Sequence, residues 1–171
     1  MGTQHLEFAE FYRSSRDECL RAVLVIVGDH DIAQEIVAEA FARAWASWRT
    51  VSGHPAPGAW VVRTALNVNV SRWRRLRREV PVPDLAVLAD TTATATAAQD
   101  PVDPQVTAAL ARLPSRQRQV IALRLILDLD TRGTAKALGI RPNTVMVHMA
   151  RALAALRSDL DPILETSQEN Q

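Results

Sequence analysis

A chain of 171 residues, 47% of them hydrophobic, can bury one ordinary core or two small ones, which excludes a disordered tail. Six Gly and 5% aromatics, against an excess of Ala, Leu, Val and Arg, favour helices over strands, so the fold class predicted is all-α. The net charge of +1 hides a banded distribution: residues 1–40 carry −5, 41–80 carry +7, 81–104 carry −4, 105–157 carry +7 and 158–171 carry −4. Two basic modules are thus flanked and separated by acidic segments, which a uniformly polyanion-coated or polycationic chain would not show.

From Leu6 to Val27 apolar residues recur at helical spacing: Leu6, Phe8, Phe11, Tyr12, then Cys19, Leu20, Val23, Leu24 and Val27. Gly28 stops that helix, and Asp29 or His30 opens a second. The second carries Ile32, Ile36, Val37, Ala40, Phe41, Ala44 and Trp45 on one side and runs to about Trp48. RTVSGHPAPG, residues 49–58, has two Pro and two Gly and reads as a loop. A third helix, from about Ala59 to Glu79, should bury Trp60, Val61, Ala65, Leu66 and Val70 before ending in an arginine run. Together residues 5–79 form the first predicted domain.

Residues 80–104 hold four Pro and a Thr/Ala run with little periodicity, the pattern of a flexible linker across which two halves should move. A second domain spans 105–160. Pro104 to Arg112 form a short helix, and Pro114-Ser115 opens another bearing Val120, Ile121, Leu123, Leu125 and Ile126. Asp130 or Thr131 caps a third that ends at Leu138-Gly139; the last runs from Pro142 to about Leu160. Residues 161–171 are expected to be a disordered tail.

Three clusters carry the chemistry. Residues 115–157 fit a helix-turn-helix, whose second helix opens with Arg141, Pro142, Asn143 and Thr144. Asn143, Thr144 and, deeper, His148 would face bases, while Arg141, Arg151, Arg132 and Lys136 hold phosphates. The bland alternative is a helical hairpin with a solvated face, against which the charge of +7 weighs. The second cluster is SRWRRLRR, Ser71 to Arg78, with five Arg and an interleaved Trp73. Arg72, Arg74 and Arg75 can neutralise phosphates there, and complementing a helix dipole would need only one or two cations. Third, Asp31, Glu35 and Glu39 share one helix stripe, which phosphate would repel and a protein partner would fit.

Catalysis is not expected. His5, His30, His54 and His148 lack metal-ligand spacing, and neither a Gly-rich phosphate loop nor a nucleophile elbow is present. No cofactor or metal is predicted. The N-terminus MGTQHLEFAEFYRSS lacks signal-peptide features and no apolar run approaches membrane-spanning length, so a soluble, cytoplasmic protein with a reduced core thiol at Cys19 is expected.

DIAQEIVAEAFARAWASW, then GAWVVRTALNVNVSRWRRLRRE, a Pro-rich segment, LPSRQRQVIALRL and ALGIRPNTVMVHMARALAALR occur in that order. This order resembles the sigma-70 family of bacterial RNA polymerase sigma factors, specifically its short extracytoplasmic-function (ECF) subfamily, over about residues 6–79 and 105–160. The resemblance implies a region 2 domain and a region 4 domain. It implies that Asp31, Glu35 and Glu39 dock on the polymerase β′ coiled coil, and that Arg49 to Gly58, including Ser52, receive a flipped base of the −10 element. Trp60, Arg63, Asn67 and Ser71 would read and melt that element beside the arginine run. Asn143, Thr144, His148 and Arg151 would read the −35 element, the domain's apolar surface would meet the β flap, and an anti-sigma factor is a candidate inhibitor. The chain departs from the usual family pattern at Gln34, Ala38, Met146 and His148, and Gly133 weakens its helix by roughly 1 kcal/mol relative to Ala. Two rival readings are a stand-alone helix-turn-helix regulator, which would dimerise on a palindrome, and a helical adaptor that binds only protein.

Overall fold

The computed structural model describes the backbone of residues 2–79 and 103–168, with side chains for 3–72 and 103–161. Residues 80–102 of the predicted linker, the side chains of Trp73, Arg74 and Arg75, and those of the tail beyond Asp161 lie outside the described residues, while Asp103 and Pro104, counted in the predicted linker, already belong to a helix start. Eight α-helices and one short π-helical segment make up the described chain, with no strand among the described residues, as the all-α reading expects.

Helix α1, Gly2–Val27, ends where Gly28 takes φ 76° and donates its N–H to the Leu24 carbonyl at 2.7 Å. Asp29 then caps α2, His30–Ala46, by accepting the Ile32 N–H at 2.9 Å. Apolar spacing of three and four turns Ala33, Ile36, Val37, Ala40, Phe41 and Ala44 into the core. Trp45, expected with them, is 45% exposed, although its ring still meets Phe8 at 5.0 Å. The reason is angular: the buried stripe of α2 is already filled by Phe41 and Ala44, and Trp45 lies 100° beyond Ala44.

The second helix stops two residues earlier than predicted, and the 49–58 loop is not wholly a loop. A single turn, α3, Trp48–Val51, sits inside it. Trp48 stacks on Phe11 at 5.1 Å and meets Phe8 edge-on at 5.2 Å, while Val51 is fully buried, so one apolar turn pins the start of the loop to α1. The helix α4, Pro57–Glu79, buries Ala59, Val61, Val62 and Ala65. Trp60 and Leu66 are half-buried and Val70 is 49% exposed, so the apolar face ends one turn short of the expected place.

In the second half, Asp103 caps α5, Pro104–Arg112, through the Gln105 N–H at 2.8 Å. Helix α6, Ser115–Ile121, runs directly into the π-helical segment Ala122–Ile126, in which the Leu127 N–H reaches back five residues to the Ala122 carbonyl at 3.2 Å. Asp128, at φ 47°, then reverses the chain. Helix α7, Thr131–Leu138, is capped by Asp130 at one end, and at the other by Gly139 at φ 65°, where the Ile140 N–H bonds the Ala135 carbonyl at 3.0 Å. The last helix, α8, Pro142–Gln168, continues in backbone past Leu160, where the sequence pattern puts its end.

Two small clusters hold this half together: Leu113, Ile121 and Ala152, and Val120, Ala135 and Val145. A different neighbour takes the residues that follow. Ala122 and Leu123 are buried in the cluster of α1, α2 and α4, with Ile126, Leu127, Leu129, Ala137 and Leu138 packed against it. The widened π turn accounts for the split, because the extra residue swings 122–127 away from α8 and toward α1. Thus α1 touches α5, α6 and the π segment, and α4 touches α7. The halves expected to move freely are packed together here.

Candidate nucleic-acid interface

Three surfaces can be built from the predicted residues. On α2, the side chains of Asp31, Glu35 and Glu39 are 95%, 63% and 48% exposed, forming the ladder expected from their spacing. Glu39 accepts from Arg43 Nε at 2.8 Å, one turn on. Beside the ladder, between α1 and α2, lies a hollow of about 190 Å³ lined by Tyr12, Arg16, Leu20, Gln34, Val37, Ala38 and Phe41. Carboxylates next to a hollow of mixed apolar and polar lining suit a basic protein surface that also offers an apolar side chain.

The second surface runs along α4. Trp60, Arg63, Asn67 and Ser71 recur every three or four residues and share one face; Arg63, Asn67 and Ser71 are exposed and Trp60 is half-buried. Trp60 packs against the core cluster and keeps part of its surface accessible. Arg49 and Ser52 are exposed at the end of α3, and the Ser52 hydroxyl donates to the Arg49 carbonyl at 3.5 Å. His54, not singled out by sequence, accepts the Ala56 N–H on Nδ1 at 3.0 Å and so holds the turn into α4. Arg72 stands apart from this face. Lying 100° beyond Ser71, its guanidinium donates to the Glu35 carboxylate of α2. One expected polymerase contact and one expected DNA contact are thereby partners of each other.

The third surface belongs to α7 and α8. Arg132, Lys136, Arg141, Asn143 and Arg151 are exposed, and Thr144 is half-buried. His148 is half-buried as well, with Nδ1 enclosed and without a hydrogen-bond partner, so it faces the flank of α8 and not its outer edge. With Val145 and Ala152 buried at 1% and 0%, the outward edge consists of Asn143, Met146, Val147, Ala150 and Arg151. Val147 and Ala150 are absent from the base readers expected from the sequence, where polar residues are preferred, and Met146 enters there only as a departure from the family pattern. The signal was present: residues opposite Val145 and Ala152 on a 3.6-residue wheel are these ones.

The described residues include no group of three or more His, Cys, Asp or Glu placed to hold a metal. No helix of the described residues is long and apolar enough to cross a membrane. Cys19 is fully buried with its thiol against the Gly58 carbonyl at 3.7 Å; burial, then the neighbouring Glu18, pushes its pKa up to about 12, so it is a core thiol without nucleophilic character.

Comparison with known proteins bears on these surfaces. Residues 11–79 match the family model "Sigma-70 region 2" and residues 104–156 match "Sigma-70, region 4". The chain is 34% identical to the RNA polymerase sigma-E factor of Streptomyces coelicolor over 156 residues, covering 91% of this chain and 86% of that protein. It is 33% identical to the sigma-E factor of Streptomyces antibioticus over 160 residues, with the same coverage. In fold it is similar to the sigma factor RpoE solved in complex with the anti-sigma factor NepR from Bartonella quintana, with a TM-score of 0.73, 21% identity and coverage of 91% of this chain and 97% of that one.

Proposed function

Because the chain belongs to the sigma-70 family, with regions 2 and 4 of the ECF type, it is a sigma factor that binds core RNA polymerase and directs promoter-specific transcription, and we propose that it divides this work among the three surfaces described. The α2 ladder of Asp31, Glu35 and Glu39 docks on the β′ coiled coil. The α4 face, with Arg49 and Ser52, captures the −10 element. Trp60 offers a stacking platform for an unstacked base, Arg63, Asn67 and Ser71 supply polar contacts, and Arg72, Arg74 and Arg75 supply cations for phosphate. The α7 and α8 surface binds the −35 duplex, with Arg132, Arg141 and Arg151 on phosphates and Asn143 toward bases, Thr144 and His148 standing beside it on the flank of α8.

The observation that carries this reading is the segregation of charge by face: carboxylates line α2, while the exposed polar and cationic residues of α4 and α8 lie on other helices. Phosphate and a carboxylate ladder cannot share one contact, so the two kinds of surface serve two kinds of partner. No nucleotide hydrolysis is asked of the factor. Extruding a base costs a few kcal/mol, and stacking at about 1–3 kcal/mol per base offsets it. Domain limits of 5–79 and 105–160 around a linker, and work in the cytoplasm where polymerase and template meet, complete the proposal. An inhibitor of the anti-sigma kind, such as the Bartonella relative was solved with, is the regulator we infer.

The test combines the purified chain with core polymerase on a promoter library. Specific transcripts are expected. Glu35→Arg with Glu39→Arg should reduce polymerase capture more than tenfold at unchanged helical content; undiminished capture would remove α2 from the docking role.

A further inference from the structure

The outward edge of α8 has an unusual composition for a helix that enters a major groove. Met146 and Val147 are 60% and 47% exposed, and of the large apolar side chains that stand exposed in the described chain, these two are adjacent in sequence and on one edge. Neither belongs to the apolar clusters of the second half, which use Val145, Met149 and Ala152 from the opposite side of the same helix. On one side of them lie exposed Arg141 and Asn143, and on the other Ala150 and Arg151. Cations at both ends of the edge would sit over the two phosphate backbones that border a groove, and the small Ala150 lets the helix approach closely. What then meets the base edges at the centre is hydrocarbon.

A thymine C5-methyl is the apolar group that the major groove displays, and the other hydrogen-bonding edges offer Met and Val nothing. We propose that Met146 and Val147 are specificity-determining residues that read thymine methyl groups in the −35 duplex. The inference rests on the assignment of α8 to that duplex. Asn143, one turn earlier on the same edge, is placed to take an adjacent adenine through its N6 and N7. The preferred element is therefore rich in A·T steps where α8 enters, with at least one thymine under each apolar side chain.

Deoxyuridine tests this directly, because it removes the methyl and keeps every hydrogen-bonding group. A promoter selected by the wild-type holoenzyme from a library randomised over the −35 region is resynthesised with each thymine there replaced singly by deoxyuridine. Burying one methyl is worth roughly fourfold in an equilibrium constant. A loss of about that size in promoter occupancy is expected at two positions, and it should vanish at one of them in Met146→Ala and at the other in Val147→Ala. Met146→Leu should retain it. Circular dichroism checks that each variant keeps its helices. Tolerance of uracil at every position, a selected element without thymine, or equal losses in wild type and both variants would overturn the proposal while leaving the sigma assignment standing. A holoenzyme that yields no specific transcript would overturn the assignment of α8 and the methyl reading with it.

Discussion

The Glu35–Arg72 pair joins, on the proposed assignment, a polymerase contact and a DNA contact. Both side chains are exposed, at 63% and 43%, so the bond is worth no more than about 1 kcal/mol and is easily exchanged. A polymerase surface that takes Glu35 releases Arg72, whose charge can then go to phosphate. Glu35→Gln mimics the release. The isolated variant should bind single-stranded DNA with a log–log salt slope steeper by about 0.7, one extra phosphate neutralised; an unchanged slope shows that Arg72 is already free in solution. Cys19 gives a second expectation. Its thiol ionises near 9 when unfolded and near 12 when folded, so above pH 9 the unfolded chain sheds a proton that the folded chain keeps, and stability falls as pH rises. Urea unfolding at pH 7.5 and 10 should show this fall, and Cys19→Ala, less stable at both, should show a smaller one.

At the scale of elements, the caps of α7 set the angle at which α8 is presented. Asp130 Oδ1 accepts the Gly133 N–H at 2.6 Å, and a Cβ on Gly133 would stand 3.0 Å from that same oxygen. Asp130→Ala should cost about 1 kcal/mol in urea unfolding. Gly133→Ala, worth up to about 1 kcal/mol by helix propensity, should give little with the cap in place and its full gain in the Asp130→Ala background. Additive effects would show that the carboxylate moves aside freely. Element ends of this kind were legible in the sequence, because Asp29, Gly28, Asp130, Gly139 and Pro142 act on their own neighbours. The stripe of Asp31, Glu35 and Glu39 was legible for the same reason, being a local spacing, whereas Arg63, Asn67 and Ser71 came from the family resemblance. The π segment, the α3 turn and the directions of His148 and Arg72 were not legible. Each depends on how a helix is rotated against another element, and a run such as ALRLILDLD announces burial without saying which core receives it.

For the whole molecule, the packing of the two halves sets a condition on function. A folded chain of this length has a radius of gyration of about 16 Å, whereas two elements roughly 25 base pairs apart lie about 85 Å apart on straight duplex at 3.4 Å per pair. The compact arrangement cannot reach both. Residues 80–103, at roughly 3.3 Å each, can span up to about 80 Å of contour, so the chain can engage both elements only after the π segment leaves α1. Separation exposes Leu123, Ile126 and Leu127, an apolar surface that core polymerase could cover, so the same side chains that close the free factor can hold it open on the enzyme. Since Cys19 is buried, dyes can be attached selectively to cysteines introduced at Ser52 and Ala154, both exposed. Energy transfer between them should be high in the free chain and should fall when core polymerase binds. Leu127 packs over Gly58, with Cδ2 3.9 Å from where a Cβ would stand, so Leu127→Asp should lower transfer in the free chain toward the polymerase-bound value. Transfer that is uniformly low would mean that the packed form is not the solution state, and transfer that stays high on the polymerase would mean that the halves do not separate; either result removes the condition on opening.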